Sequence, residues 1–368
     1  MFNTPTKIGP VTLKNRLVMA PMTTYSSNPD YTVSDQEYTY YEARGQTVGM
    51  LITAAVAVSK SAHAFPRQIS IEDDRFIPGL KTLAEKIQAG GAKAVMQLHH
   101  GGRMADASLF ANAHDIVAPS AIKADRNFTV TPRAMSLDEV RQTQKDFLDA
   151  ISRAIQAGYD GVELHGANTY LLQQFFSPQS NQRTDEYGGS IENRSRFIVE
   201  LVKAAQERIQ KEATKPFLLG YRLSPEERET PGITLADTRY LIKQLNALKV
   251  DYLHLSTGHY LQSSLRDPAN TTPIIERLSD VLSDDVPLIG VGGINDLEDV
   301  ENALESGYEC VATGMTLIAD PLWGEKLASK DPLNTVITSD LVPDLMFERL
   351  HRWQKILAEG GRFILKDD

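Results

Sequence analysis

The sequence predicts an α/β chain closed into a (β/α)8 (TIM) barrel, with an N-terminal hairpin and long loops at the C-terminal face of the strands. Three observations predict it. Short apolar runs alternate with segments of helical period, which marks a parallel sheet with helical crossovers. Eight such runs occur, and eight strand–helix units close into a barrel more naturally than they form an open sheet. The Gly-x-Gly-x-x-Gly turn that an open doubly wound sheet wants after its first strand is missing, because no glycine lies between Leu17 and Tyr25.

A hairpin is expected at residues 7–13. The eight strands are then expected at residues 17–20, 49–54, 94–98, 161–164, 217–221, 252–256, 288–291 and 310–313. Helix starts are marked by capping residues between them. Ser136-Leu-Asp-Glu139 is a capping box opening a helix to about Ala157, with Gly158 as its stop. Ser190 opens the next, with Phe197, Leu201 and Ala204 on one face, and Thr234 and Asp296 (or Leu297) open two more. A minimal barrel takes about 250 residues. The surplus falls after strands three, four and six and in a C-terminal extension from about Asp331, so one domain over residues 1–368 is expected. A helix from about Asp344 could pack on a neighbouring copy, leaving a homo-oligomer open.

Composition narrows the function. Hydrophobic residues at 42% and charged residues at 23% describe an ordinary globular chain. A net charge of −10 argues against nucleic-acid or anionic-membrane partners, which want a basic surface. The single cysteine, Cys310, excludes disulfide frameworks, zinc–cysteine sites and iron–sulfur clusters. The N-terminal residues have no apolar core of a signal peptide, and no apolar run approaches a membrane span, so the cytoplasm is expected.

The chemistry concentrates in Asp160-Gly-Val-Glu-Leu-His165-Gly-Ala-Asn168-Thr-Tyr170-Leu171. A strand ends there in an imidazole, a carboxamide and a phenol, all able to donate hydrogen bonds and none fixed as an anion. Such a set suits holding a polarisable oxygen and delivering a proton; it also suits capping a buried strand end. Strands seven and eight end in Gly290-Val-Gly292-Gly293 and Thr313-Gly314-Met315. Loops after the last two strands of this fold often cradle phosphate, though glycine there also serves tight turns. Gln97 suits the edge of a heterocycle, and Arg222 places a cation where ring charge would be stabilised. Together they favour a flat phosphorylated cofactor. His99, His100, His165, His254 and His259 also lie near strand ends, but no carboxylate accompanies them at ligand spacing, so no metal is expected. Glu163 is the only acid near the centre and has no evident mate for paired-carboxylate hydrolysis.

These residues resemble the Old Yellow Enzyme, or NADH:flavin oxidoreductase, family of FMN-dependent ene-reductases. The resemblance runs from Ile8-Gly-Pro-Val-Thr-Leu-Lys-Asn-Arg16 to about Trp323. It includes the His165 to Leu171 run and the long, specific Gln179-Ser-Asn-Gln-Arg183-Thr-Asp185-Glu-Tyr187-Gly188-Gly189-Ser190-Ile-Glu-Asn193-Arg194. It implies that Pro21, Met22 and Thr23 lie against a flavin and that Ala55 and Gln97 meet its pyrimidine part. Arg222 would face the N1/C2 region, while Gly292, Gly293 and Gly314 surround the phosphate. His165 and Asn168 would hold a substrate carbonyl oxygen, Tyr170 would give the proton, and Tyr25 would line the substrate pocket. Many members carry arginine after the strand-eight glycine; Met315 stands there instead, so phosphate binding must lean on backbone N–H groups or another cation. Thr23 replaces the cysteine of one branch.

The expected activity is reduction of the C=C bond of an α,β-unsaturated carbonyl or nitro compound, with NADH or NADPH as reductant. The partners are then an electrophilic alkene and the nicotinamide. The leading rival is a non-redox barrel enzyme acting on a phosphorylated small molecule, which would normally want a central lysine or carboxylate base. A protein that keeps FMN without turnover is the other.

Overall fold

The computed structural model describes residues 2–352 and 363–366. Eight parallel strands close on themselves: Leu17–Met19, Met50–Ile52, Lys93–His99, Gly161–Gly166, Leu218–Leu223, Tyr252–Leu255, Leu288–Val291 and Cys310–Thr313. Strand one pairs with strand eight through Leu17 and Val311 and with strand two through Val18 and Met50, and the ring is sealed between strands two and three. The hairpin of Thr6–Ile8 and Val11–Leu13 plugs the amino-terminal mouth. Its Ile8, Val11 and Leu13 pack with Val18, Met50, Ile289 and Cys310 in the barrel interior. Cys310 is fully buried there, and burial pushes its thiol pKa up, which suits inert core.

The helices follow their capping residues. Ser136 and Glu139 form the expected box on Leu137–Gln156, and Gly158 closes it at φ 79°. Ser190, Thr234 and Asp296 each accept the N–H three residues on. On Ile191–Glu212 the buried stripe runs through Phe197, Leu201 and Ala205; Ala204 is only half-buried, a correction of one position. Met346 and Phe347 of the helix Asp344–Arg352 are buried against this same chain. The rest of the C-terminal segment, residues 353–362, lies outside the described residues.

Several strands run further than predicted, and this positions the site. Strands three, four and five extend to His99, Gly166 and Leu223, so His99, His165 and Arg222 sit within strands rather than beyond them, as Gln97 does. Parallel register then stacks polar residues in two levels. Gln97 is level with Glu163, which is level with Gly220, itself level with Tyr252. One pleat nearer the mouth, His165, Arg222 and His254 are level. Positions two apart on a strand share a face, so both levels point the same way. The lower half of the barrel is apolar; its upper half is built from hydrogen-bonding groups.

Candidate active site

The lower polar level centres on Glu163, fully buried. Its Oε1 accepts from Gln97 Nε2 at 2.7 Å, and its Oε2 accepts from Tyr252 OH at 3.2 Å and from His254 Nδ1 at 2.9 Å. Tyr252 reaches across because Gly220 between them has no side chain; a Cβ there would stand 2.0 Å from the Tyr252 ring. Burial alone would raise the Glu163 carboxyl, but His254, Arg222 and Gln97 outweigh it and hold it below its ordinary range. Glu163 therefore has mates, though none is a carboxylate, and they make it a counter-ion rather than half of a hydrolytic pair.

The upper level faces the mouth with unspent hydrogen-bonding atoms. Arg222 Nε, His165 Nδ1, His99 Nε2 and His254 Nε2 are buried without a hydrogen-bond partner among the described residues. Buried polar atoms are normally paired, so a cluster of orphans implies a polar guest. Burial, reinforced by His99, Arg222 and His254, drives the His165 pKa well below its ordinary value, so this imidazole is neutral at physiological pH.

The chain after strand four turns sharply. Asn168 and Thr169 take φ 57° and 67°, the left-handed region, consecutively and without glycine. The turn is held from several sides. The Asn168 N–H donates to Ser224 Oγ at 2.9 Å, the Thr169 N–H to Gln173 Oε1 at 2.9 Å, and Gln174 Nε2 donates to the Thr169 carbonyl at 2.7 Å. Asn168 Oδ1 accepts from Ser256 Oγ at 2.8 Å, which leaves the amide NH2 as the group Asn168 can offer. Tyr170 follows, its ring edge-on to His99 at 4.4 Å and to His165 at 5.0 Å between centroids. Burial, with Tyr25, pushes its phenol pKa above the ordinary value. Phe65 links Tyr170 to Tyr25 by edge contacts of 5.8 and 5.7 Å, and Arg349 lies 4.4 Å over the Tyr25 ring.

The expected cofactor residues surround the mouth. Gly292 and Gly293 have φ 100° and 69°, conformations that L side chains rarely adopt. A Cβ on Gly314 would stand 2.4 Å from Met22 Sδ, so the end of strand one closes directly on the strand-eight turn. Ala55 is buried, and its carbonyl accepts from Gln68 Nε2 at 3.0 Å. Pro21, Met22 and Thr23 are half-buried. Met315 opens the helix Met315–Ala319 and lines, with Met22, Thr23, Tyr25 and Arg349, a cavity of about 330 Å³. The glycine cradle and the orphan donors above Glu163 fit a flat ring with a phosphate tail. Among the described residues no group of three or more His, Cys, Asp or Glu is arranged to hold a metal ion, and no helix is long and apolar enough to cross a membrane.

Sequence reasoning weighed Glu163 only as half of a hydrolytic pair and His99 only as a metal ligand, and missed Gln68, Ser256 and Tyr252. The available signal was a polar residue at every second position: Gln97 and His99, Glu163 and His165, Tyr252 and His254.

Residues 1–334 match the family model described as NADH:flavin oxidoreductase / NADH oxidase family. A probable NADH-dependent flavin oxidoreductase of Bacillus subtilis is 44% identical over 360 residues, covering 97% of this chain and 95% of that protein. An NADH:fumarate oxidoreductase of Klebsiella pneumoniae is 45% identical over 330 residues, 89% of this chain, and an NADH:acrylate oxidoreductase of Vibrio harveyi is 41% identical over 319 residues, 86% of this chain. The chain spans only 36% and 32% of the length of those two relatives. Morphinone reductase in complex with tetrahydroNAD has a similar structure, with a TM-score of 0.79, 30% identity, and coverage of 90% of this chain and 92% of that one.

Proposed function

Because this chain belongs to the NADH:flavin oxidoreductase / NADH oxidase family, we propose that it reduces the C=C bond of α,β-unsaturated carbonyl or nitro compounds. FMN, when bound, supplies the chemistry of passing a hydride from NADH or NADPH to the electron-poor alkene. Arg222, Gln97, Ala55, Pro21, Met22 and Thr23 would hold its ring, and the backbone at Gly292, Gly293, Gly314 and Met315 its phosphate. The observation that carries the reading is the left-handed turn at Asn168 and Thr169, which joins three neutral donors on one short stretch.

The protein's own share of the chemistry follows from those donors. Neutral His165 and the Asn168 NH2 donate to the substrate's activating oxygen, where negative charge grows as the β-carbon is reduced. A preorganised donor of this kind is worth on the order of 3–4 kcal/mol. Tyr170 then gives its proton to the α-carbon. A phenol pushed above its usual range stays protonated at every physiological pH, so the acid is always loaded. Tyr25, beside Phe65 and Arg349, lines the side by which substrate enters.

Stopped-flow kinetics of Tyr170→Phe test this. Reoxidation by an enone should slow by two orders of magnitude or more, about the worth of a general acid, while reduction by nicotinamide stays near wild type. Equal slowing of both half-reactions would remove Tyr170 from the acid role. A colourless protein that takes up no FMN would instead favour the non-redox barrel enzyme.

A further inference from the structure

Met315, on the first turn after strand eight, brings no charge to the glycine turns, and the cation of the cavity it lines, Arg349, lies over the Tyr25 ring. A phosphate held there by backbone N–H groups alone would lack a side-chain donor. The loop after strand six provides one. A Cβ built on Gly293 would stand 2.5 Å from Cδ2 and 2.9 Å from Nε2 of His259, so this imidazole rests directly on the glycine turn. The same loop is tied to that turn: the Tyr260 N–H donates to the Gly292 carbonyl at 2.9 Å, and Thr257 Oγ1 donates to the Val291 carbonyl at 2.8 Å. His259 stacks on Tyr260 with centroids 4.6 Å apart and 23° between planes.

The imidazole is also oriented chemically. Its Nδ1 accepts the Leu261 N–H at 3.1 Å. A ring nitrogen that accepts carries no proton, so the neutral ring must carry it on Nε2, the atom beside Gly293. Nε2 has no hydrogen-bond partner among the described residues, and His259 is exposed, as a group waiting at the rim of a ligand site should be.

We propose that His259 is a cofactor-binding residue that donates from Nε2 to the terminal phosphate of FMN, in the place left without a cation by Met315. The proposal rests on the FMN reading above and extends it to a residue outside the expected set.

Flavin titration of the full-length apoprotein, followed by fluorescence quenching, tests it through the ratio of riboflavin Kd to FMN Kd. That ratio isolates the phosphate, since the two ligands share the ring. Wild type should prefer FMN strongly. His259→Ala should cut the preference about ten- to a hundredfold, the value of one charge-assisted hydrogen bond, and leave riboflavin affinity unchanged; Met315→Arg in that background should restore it. An unchanged ratio in His259→Ala overturns the proposal while the FMN reading stands. A wild-type protein that binds riboflavin and FMN equally overturns both.

Discussion

Gln97 Nε2 donates to Glu163 Oε1 at 2.7 Å, and this contact decides which edge of the Gln97 amide faces the barrel mouth. An ionised carboxylate only accepts, so the NH2 must turn toward it and the carbonyl oxygen is left for a ligand N–H. Glu163 also balances Arg222, the buried cation one pleat nearer the mouth. Glu163→Gln should therefore free the amide to turn and strand Arg222 without a counter-charge. The expected loss is about 3–5 kcal/mol in denaturant unfolding, as when one partner of a buried pair is removed, with weaker flavin retention. Wild-type stability together with full flavin occupancy would show that the pairing does neither job.

His99 is set by Gln68 in the same manner. Gln68 Oε1 accepts the N–H groups of Ala64 and Phe65 at 2.8 and 3.3 Å, so its Nε2 must donate, to the Ala55 carbonyl and to His99 Nδ1 at 3.1 Å. His99 is fully buried, which lowers its pKa well below the ordinary value and keeps it neutral, with its proton on Nε2 beside the Tyr170 ring. Nitrogen-15 NMR should find one tautomer in wild type across pH 5 to 8 and a mixture in Gln68→Leu. A single tautomer in both proteins would mean that something other than Gln68 orders the ring.

His165 and Asn168 should dominate the affinity for phenolates, which carry an oxygen anion where a reduced substrate would. Two hydrogen bonds to a charged acceptor correspond to about 3–6 kcal/mol. Replacing both residues with alanine should weaken binding by about two to four orders of magnitude. Because burial keeps His165 neutral, wild-type binding should rise with pH up to the phenol's own pKa and show no histidine step between pH 5 and 8. A flavin absorbance titration reads both effects, and a double variant that still binds at wild-type strength places the oxygen site elsewhere.

The local signals were legible in the sequence. Ser136, Ser190, Thr234 and Asp296 start helices because a capping side chain needs only its own next turn. Gly292 and Gly293 marked a turn that nearly any side chain would strain. Glu163 was not legible, since its partners lie on strands three and six and only the parallel register brings them level. The same holds for His259, whose importance depends on Gly293 more than thirty residues later in the chain. Strand lengths were cut short before His99, His165 and Arg222 because polar residues there looked like the end of a buried run. A barrel whose upper half is polar breaks that rule at its site.

Glu37 gives the clearest pH signature. It is the third residue of the capping box on the helix Asp35–Gly45, accepting the Ser34 N–H at 3.1 Å, and its other oxygen accepts from Thr24 Oγ1 at 2.5 Å. It thereby fixes the segment that follows Thr23. Burial raises its pKa from 4.5 to about 7, against the opposing hydrogen bonds from Thr24 and Ser34. The folded protein then binds a proton that the unfolded chain has already released, so this group's contribution to stability is present below about pH 4.5 and is lost as pH rises through about 7. A shift of this size corresponds to on the order of 3 kcal/mol. Glu37→Gln cannot titrate; it should cost some stability at pH 5 through the weakened cap, yet show a smaller decline between pH 5 and 8 than wild type. Urea unfolding at the two pH values measures the difference, and parallel declines in both proteins would show that Glu37 is ionised throughout.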